Sequence, residues 1–249
     1  MGLQVRDLGA GPPVVLLHPG PGLDGSVFLP GVQQLVDAGY RALLVDLPVD
    51  DFTLKHQAAA VEELMRELEE PTLLGHSFGG YVAMQHLVEF ASAARYIASC
   101  TDADEDEPED VDQERFAKAP AGVRAAFERE SSVTTPEECR DVWRDQLPFF
   151  ANDPAKVEPM LDHVVFQPGA HHEHDVGELH ALDALRAADQ PVLAIAGADD
   201  RATPPPLARR IAEAAPRGEL LVIDDAGHFP FAEAPDRYWP ALIGWLDRT

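Results

Sequence analysis

The sequence Gly-His-Ser-Phe-Gly-Gly occupies residues 75–80, between the apolar run at 72–74 and a segment of helical character that begins near residue 79. It matches the pattern Gly-x-Ser-x-Gly at the junction of a strand and a helix. Glycine two positions away on each side of Ser77 permits a sharp, strained turn that lifts the hydroxyl clear of the sheet. Chance alone produces the pattern in roughly one chain in ten of this length, so its position between strand and helix matters as much as its letters. The stretch predicts Ser77 as a nucleophile.

Short aliphatic runs alternate with longer helical patterns along most of the chain. The predicted strands are 14–17, 42–45, 72–74, 96–99, 192–196 and 220–223, and the predicted helices are 30–38, 54–69, 79–91, 204–215 and 235–247. Continuous apolar runs of this length are typical of parallel strands that are buried on both faces. The alternation therefore predicts an α/β fold with a mostly parallel sheet flanked by helices.

The alternation stops between residues 101 and 188. This stretch begins with an acidic run at 102–112, continues with short helical pieces such as 136–147, and then becomes rich in Pro, Gly and His. We expect residues 101–188 to form a helical cap that is inserted into a core made of 1–100 and 189–249. We interpret the acidic run as a solvated hinge, and the alternative is a gate that attracts cationic substrates.

The chain is strongly acidic, since 44 Asp and Glu residues face 19 Lys and Arg, for a formal net charge of −25. A field of this sign repels phosphate backbones and anionic lipids, so we expect no nucleic-acid or membrane partner. The first residues hold no apolar run of signal-peptide length, and the two cysteines cannot form a disulfide framework. We expect a cytoplasmic protein, monomeric or homodimeric, that acts on a small-molecule substrate without a cofactor.

The turn His-Pro-Gly-Pro-Gly at 18–22 directly follows the first predicted strand. Because parallel strands all end at one edge of the sheet, a backbone N–H of this turn can point into the same cleft as Ser77. Its two prolines have no N–H, which leaves Gly20 or Gly22 as the donor. We predict an oxyanion hole made by the N–H groups of Gly20 and Phe78, and the alternative is an ordinary strand-ending turn.

A histidine and three aspartates follow other predicted strands. His228, one of ten histidines, lies in the loop after the last strand and could reach over Ser77 as a general base. Asp199 and Asp200 follow the strand at 192–196, and Asp102 is a third candidate for the acid that orients the imidazole. Oxyanion turn, Ser, Asp and His occur in the chain order of α/β-hydrolases, each at the C-terminal end of a predicted strand.

The sequence resembles the α/β-hydrolase superfamily over nearly its whole length, and within it the proline iminopeptidases. The segments similar to that group are the turn at 18–22, the Ser-containing turn at 75–80, and Gly-His-Phe-Pro-Phe-Ala-Glu-Ala-Pro at 227–235. The superfamily pattern Gly-x-x-Asp-x-x-x-Pro fits Gly197, Asp200 and Pro204. This register implies that the acid is Asp200 rather than Asp199.

The resemblance implies a serine hydrolase in which Ser77 attacks a carbonyl carbon, His228 moves the proton, Asp200 orients the imidazole, and water releases the acyl group. In proline iminopeptidases a Glu commonly follows the catalytic Asp and holds the substrate's free amine. Arg201 occupies that position here, and a cation there would repel an ammonium group. We therefore expect a small ester, lactone or amide as substrate. The alternatives are a true prolyl aminopeptidase and a non-catalytic binding protein of the same fold.

Two further features have simpler interpretations. The run His-His-Glu-His-Asp at 171–175 lacks the spacing of a zinc-binding helix, so we interpret it as a solvated loop and expect no metal site. Trp143, Phe149, Phe150 and Phe166 are expected to pack the cap onto the core.

Overall fold

A seven-stranded sheet runs through the described part of the chain, which in this computed structural model comprises residues 3–20, 22–104, 121–168 and 178–249. The strands are β1 (Gln4–Leu8), β2 (Pro13–Leu17), β3 (Arg41–Asp46), β4 (Thr72–His76), β5 (Arg95–Ser99), β6 (Val192–Gly197) and β7 (Gly218–Ile223). Their order across the sheet is β1-β3-β2-β4-β5-β6-β7. β1 pairs antiparallel with β3, and the other pairs are parallel. The fold confirms the predicted α/β-hydrolase architecture.

From β2 onward, helices and strands alternate along the described chain, except between β5 and β6, where several helices occur. The described helices are α1 (Leu29–Asp37), α2 (Leu54–Met65), α3 (Phe78–Glu89), α4 (Ala121–Glu130), α5 (Pro136–Phe150), α6 (Pro154–Val157), α7 (Leu182–Ala187), α8 (Pro205–Ala214), α9 (Pro230–Glu233) and α10 (Pro235–Leu246). Short 3-10 helices span Gly25–Phe28 and Glu158–Asp162. None of the described helices is both long and apolar enough to span a bilayer.

The central strands carry the apolar runs that predicted them. Every residue of β4 and β6 is buried, whereas β1 and β7 at the two edges are largely exposed or half-buried. β1 was not predicted from the sequence, because its residues, Gln-Val-Arg-Asp-Leu, include polar and charged side chains and form no continuous apolar run. An edge strand with one exposed face needs no such run.

Two hydrophobic clusters lie on opposite faces of the sheet. Along β2, Val14 and Leu16 belong to the first cluster and Val15 and Leu17 to the second, as expected from the two-residue period of a strand. The first cluster is completed by α1, α10 and residues of α5, and the second by α2, α3, α7 and α8. The sheet is therefore covered by helices on both faces.

The segment between β5 and β6 supplies four of the described helices. α5 begins with a capping box, in which Thr135 accepts the N–H of Glu138 and the Glu138 side chain accepts the N–H of Thr135. Trp143 and Leu147 of α5 join the first hydrophobic cluster, while α7 packs with α3 and α8 on the other face. The predicted extent of the cap, 101–188, stays a prediction. Its acidic run lies outside the described residues from position 105 onward.

Candidate active site

Ser77 lies at the turn from β4 into α3 with backbone angles of φ 53° and ψ −119°. Such angles cost a non-glycine residue about 1–3 kcal/mol and persist only when the surroundings hold them. Here the Ser77 N–H donates to the Ser99 carbonyl at 2.9 Å, and the Ser77 carbonyl accepts from Thr101 Oγ1 at 2.9 Å and from the Gly80 N–H at 2.8 Å. Ser77 is half-buried, whereas its neighbours His76 and Phe78 are buried.

The glycines around Ser77 are required by close backbone approach. A Cβ atom on Gly75 would lie 2.1 Å from the Gly79 carbonyl oxygen, and one on Gly79 would lie 2.4 Å from the Leu17 carbonyl oxygen. Both distances are far below van der Waals contact and involve backbone atoms that cannot move aside. The prediction that Gly residues permit the sharp turn thus has a direct steric basis.

His228 and Asp200 are joined by a buried hydrogen bond. Nδ1 of His228 lies 2.9 Å from Oδ2 of Asp200, and the two residues are only 2% and 4% exposed. Because an ionised carboxylate only accepts, this bond places the imidazole proton on Nδ1 and leaves Nε2 free to accept a proton. The loops after β6 and β7 therefore form an acid–base pair at the carboxyl edge of the sheet.

The Asp200 carboxylate is held by four donors. Oδ1 accepts the N–H groups of Ala202 at 2.9 Å and Thr203 at 3.0 Å, while Oδ2 accepts Thr203 Oγ1 at 2.8 Å as well as His228. The other two candidate acids have different surroundings: Asp199 is exposed, and Asp102 accepts the N–H of Ala103. Asp200 is the carboxylate that the structure brings to His228.

The predicted oxyanion donors lie in the turn after β2 and at the start of α3. Gly20 has φ 140° and Gly22 has φ 88°, both in the region that favours glycine. The His18 carbonyl accepts the Gly79 N–H at 3.1 Å, which joins this turn to the Ser77 turn. Within the described ranges, the N–H groups of Gly20 and Phe78 donate to no backbone carbonyl, and their role as an oxyanion hole stays a prediction.

His18 fixes the shape of the same turn. Its Nε2 accepts the Leu47 N–H at 3.0 Å, so the proton is on Nδ1, which donates to the Pro19 carbonyl at 2.5 Å. Burial lowers the pKa of His18 and favours this neutral form. The turn at 18–22 was predictable from the sequence, but the role of His18 was not, because Leu47 is distant in the chain.

His76 packs beside the acid–base pair. Its ring centroid lies 5.1 Å from that of His228 and 5.0 Å from that of Phe231, and Nδ1 is 3.1 Å from Ser99 Oγ. Burial, reinforced by His228, lowers the pKa of His76 well below its ordinary range. His76 is thus a neutral ring that packs beside the acid–base pair.

One group in the described part of the chain has ligand atoms close enough for a metal ion. Cys100 Sγ, an Asp200 oxygen and a His228 nitrogen lie within 4.8 Å of one another. Burial and the neighbouring Asp200 raise the pKa of the Cys100 thiol well above its ordinary range, which disfavours the thiolate that metals bind. The arrangement fits hydrogen bonding better than metal coordination. The run at 171–175 lies outside the described residues.

The end of α5 packs against the imidazole of His228. The Phe150 ring centroid lies 5.4 Å from that of His228, and the His228 N–H donates to the Phe150 carbonyl at 2.7 Å. Trp143 packs behind, with its ring centroid 5.6 Å from that of Phe150. Arg201 Nη1 donates to the carbonyls of Pro148 and Ala151 at 3.3 and 3.5 Å. Trp143 and Phe150 of α5 thus pack the inserted segment onto the core, as predicted. Phe149 packs instead against Val123 and Phe127 of α4.

Comparisons with known proteins agree with this fold. Residues 14–241 match the model of the Alpha/beta hydrolase family, and the chain belongs to that family. BpoC of Mycobacterium tuberculosis, which carries the name of a non-heme bromoperoxidase, is 29% identical over 264 aligned residues that cover 97% of this chain and 96% of BpoC. The pimeloyl-[acyl-carrier protein] methyl ester esterase of Xanthomonas campestris pv. campestris is 28% identical, with 96% and 97% covered.

A solved structure gives the same picture. A thermophilic esterase from Thermogutta terrifontis superposes with a TM-score of 0.77 at 25% identity, covering 99% of this chain and 93% of the esterase. These likenesses support a hydrolase with esterase-like relatives. They support membership of the superfamily, but they do not specifically support the predicted resemblance to proline iminopeptidases.

Proposed function

We propose that the protein is a serine hydrolase that cleaves a small carboxylic ester through an acyl-enzyme. Ser77 is the nucleophile, His228 the general base, and Asp200 the acid that orients it. The observation that carries the proposal is the buried 2.9 Å hydrogen bond between His228 Nδ1 and Asp200 Oδ2. The same sheet also carries Ser77 in a strained turn after β4. A non-catalytic binding protein has no need of either feature.

In the first half-reaction, the Ser77 hydroxyl oxygen attacks the ester carbonyl carbon while His228 Nε2 takes the hydroxyl proton. The N–H groups of Gly20 and Phe78 stabilise the negative charge that develops on the carbonyl oxygen. The imidazolium, stabilised by Asp200, then gives its proton to the leaving alcohol. In the second half-reaction, water attacks the acyl-enzyme by the same proton path and releases the acid.

The ester preference has support from the residue after the acid. Arg201 stands where proline iminopeptidases commonly have the Glu that holds a free amine, and its guanidinium donates to carbonyls at the end of α5, beside His228. A positive charge at this place disfavours a substrate ammonium group. Relatives of this chain are also named as esterases. Lactones are cleaved by the same steps and belong to the same proposal.

The test is a side-by-side assay of the purified protein on a short-chain nitrophenyl ester and on a prolyl arylamide, with Ser77→Ala as the blank. We expect turnover of the ester alone, and covalent labelling of Ser77 by a fluorophosphonate probe. Efficient cleavage of the arylamide would establish the prolyl aminopeptidase instead. A protein that turns over neither compound and leaves the probe unreacted would be a binding protein.

A further inference from the structure

Glu233, the last residue of α9, is a buried carboxylate that accepts hydrogen bonds from two separate parts of the chain. It is 3% exposed. Its Oε1 accepts the Gly227 N–H at 2.9 Å, and its Oε2 accepts the N–H groups of Asn152 at 2.8 Å and Asp153 at 3.0 Å. Gly227 directly precedes His228, whereas Asn152 and Asp153 belong to the segment inserted between β5 and β6.

The two backbones joined by Glu233 are in direct contact. The His228 N–H donates to the Phe150 carbonyl at 2.7 Å, and a Cβ atom on Gly227 would lie 2.4 Å from the Phe150 carbonyl oxygen and 2.7 Å from the Asn152 nitrogen. There is no room for a side chain or a water molecule between them at this point. A shift of residues 150–153 must therefore displace the loop that holds His228, or break these bonds.

The carboxylate is suited to this bridge because each oxygen serves a different segment. Burying a charge is costly unless hydrogen bonds compensate it, and three N–H donors supply bonds of the stronger, charge-assisted kind. If the carboxylate were lost, buried N–H groups on both sides would lose their acceptor. The bond network thus holds the inserted segment and the His228 loop in one fixed arrangement.

We propose that Glu233 is a positioning residue that couples the inserted segment to His228, so that the end of α5 sets the position of the His228 imidazole. The inference rests on the proposed function, because it assigns His228 the role of general base. It adds that a substrate in contact with Phe150 or Trp143 of α5 affects the position of His228. The effect is transmitted through the backbone of 150–153, the Glu233 carboxylate and the His228 loop.

The test compares Glu233→Gln with the control substitution Asp236→Asn. Asp236 is exposed and lies in the first turn of α10, and its substitution removes the same charge. The glutamine keeps one acceptor oxygen and turns an NH2 group toward donors on the other side, so one half of the bridge is lost. We expect kcat for the nitrophenyl ester to fall about 10- to 100-fold, as for a displaced catalytic group. KM should change little, and the rate of fluorophosphonate labelling should fall by the same factor as kcat. Asp236→Asn should match the wild type.

Rates are expressed per active site, titrated by complete fluorophosphonate labelling, so that a partly unfolded preparation does not count as a slow one. Glu233→Asp keeps the charge but is one methylene shorter, and it should also be slow; full activity would show that charge, not the bridge, matters. If Glu233→Gln does not fold, Asn152→Pro removes one donor from the other side. Ala151, at φ −94° and ψ 147°, has the backbone that a following proline requires.

The outcomes separate the two proposals. Wild-type protein that fails to react with the fluorophosphonate would overturn the proposed function itself. Wild-type protein that is labelled at Ser77, together with a Glu233→Gln variant that differs only in melting temperature, would leave the proposed function intact and overturn the role of Glu233. A rise in KM at unchanged kcat would also overturn it, because Glu233 would then act on substrate binding alone.

Discussion

Thr203 Oγ1 lies 2.8 Å from Oδ2 of Asp200, the same oxygen that accepts the hydrogen bond of His228. The Thr203 hydroxyl is also 3.2 Å from His228 Nδ1. Since Oδ1 of Asp200 is occupied by two backbone N–H groups, the carboxylate cannot rotate away from the imidazole. The orientation of His228 therefore depends on a short segment, 200–203, in which one residue supplies the acceptor and its neighbours fix it.

Replacing Asp200 by Asn should reduce kcat for the nitrophenyl ester by about 10³- to 10⁴-fold. The amide NH2 of Asn can face Nδ1 and favour the tautomer that carries its proton on Nε2, which cannot then accept a proton from Ser77. The measurement is steady-state hydrolysis. Asp199→Asn is the matched control, because Asp199 is adjacent in sequence but exposed. Equal losses in both variants would contradict the assignment of Asp200.

Thr203→Val should lower kcat by about tenfold, because a hydrogen bond to a charged group contributes about 1.5–3 kcal/mol and Val keeps the shape of Thr. Thr203→Ser keeps the hydroxyl and should retain most activity. The two variants are compared by kcat and by fluorophosphonate labelling rate. If Val is as active as wild type while Ser is impaired, the methyl group and not the hydroxyl of Thr203 supports the site.

The strands and the serine turn were predictable because their signals are local. Every predicted strand is present, and the five predicted helices begin within one residue of α1, α2, α3, α8 and α10. Apolar runs and helical periods are properties of a few consecutive residues, and so is the steric need for Gly75 and Gly79. The helix expected at 136–147 continues to Phe150, past Pro148, because its last turn packs on the core.

The supporting residues were not predictable, since their partners are far apart in the chain. Nothing in the sequence near Glu233 shows that it accepts N–H groups from Asn152 and Asp153, and nothing near His18 points to Leu47. The choice of Asp200 over Asp199 rested on a family pattern, while the hydrogen bond to His228 depends on how two loops meet. Such contacts arise only once the parallel strands have brought their ends together.

Gly75→Ala should destabilise the protein strongly, because its Cβ would lie 2.1 Å from the Gly79 carbonyl oxygen. Gly244→Ala is the opposite case. Gly244 is exposed inside α10, and a Cβ there meets no atom within 4 Å, so alanine should stabilise the protein by about 0.5–1 kcal/mol. Urea unfolding followed by tryptophan fluorescence measures both. A stable Gly75→Ala variant would show that the backbone of the serine turn can shift to make room for the added Cβ atom.

Three buried histidines should make the protein less stable below pH 6.5. Burial lowers the pKa of His18, His76 and His86 from the ordinary 6.5, in His86 against the opposing effect of Glu62. As the pH falls through 6.5, the unfolded chain binds protons that the folded chain does not. The free energy of unfolding therefore has its full value above pH 6.5. Below pH 6.5 it decreases, by up to about 1.4 kcal/mol per pH unit for each such histidine.

His76→Asn isolates one of these contributions. The variant should lose stability less steeply between pH 6.5 and 5 than wild type does, because the unfolded chain then has one histidine fewer to protonate. His56→Asn is the matched substitution at a histidine whose side chain is 42% exposed. Urea unfolding at pH 7.5, 6.5, 5.5 and 5 gives the slopes independently of each variant's absolute stability. Identical slopes in wild type and His76→Asn would mean that His76 takes up a proton in the folded protein, beside the ring of His228.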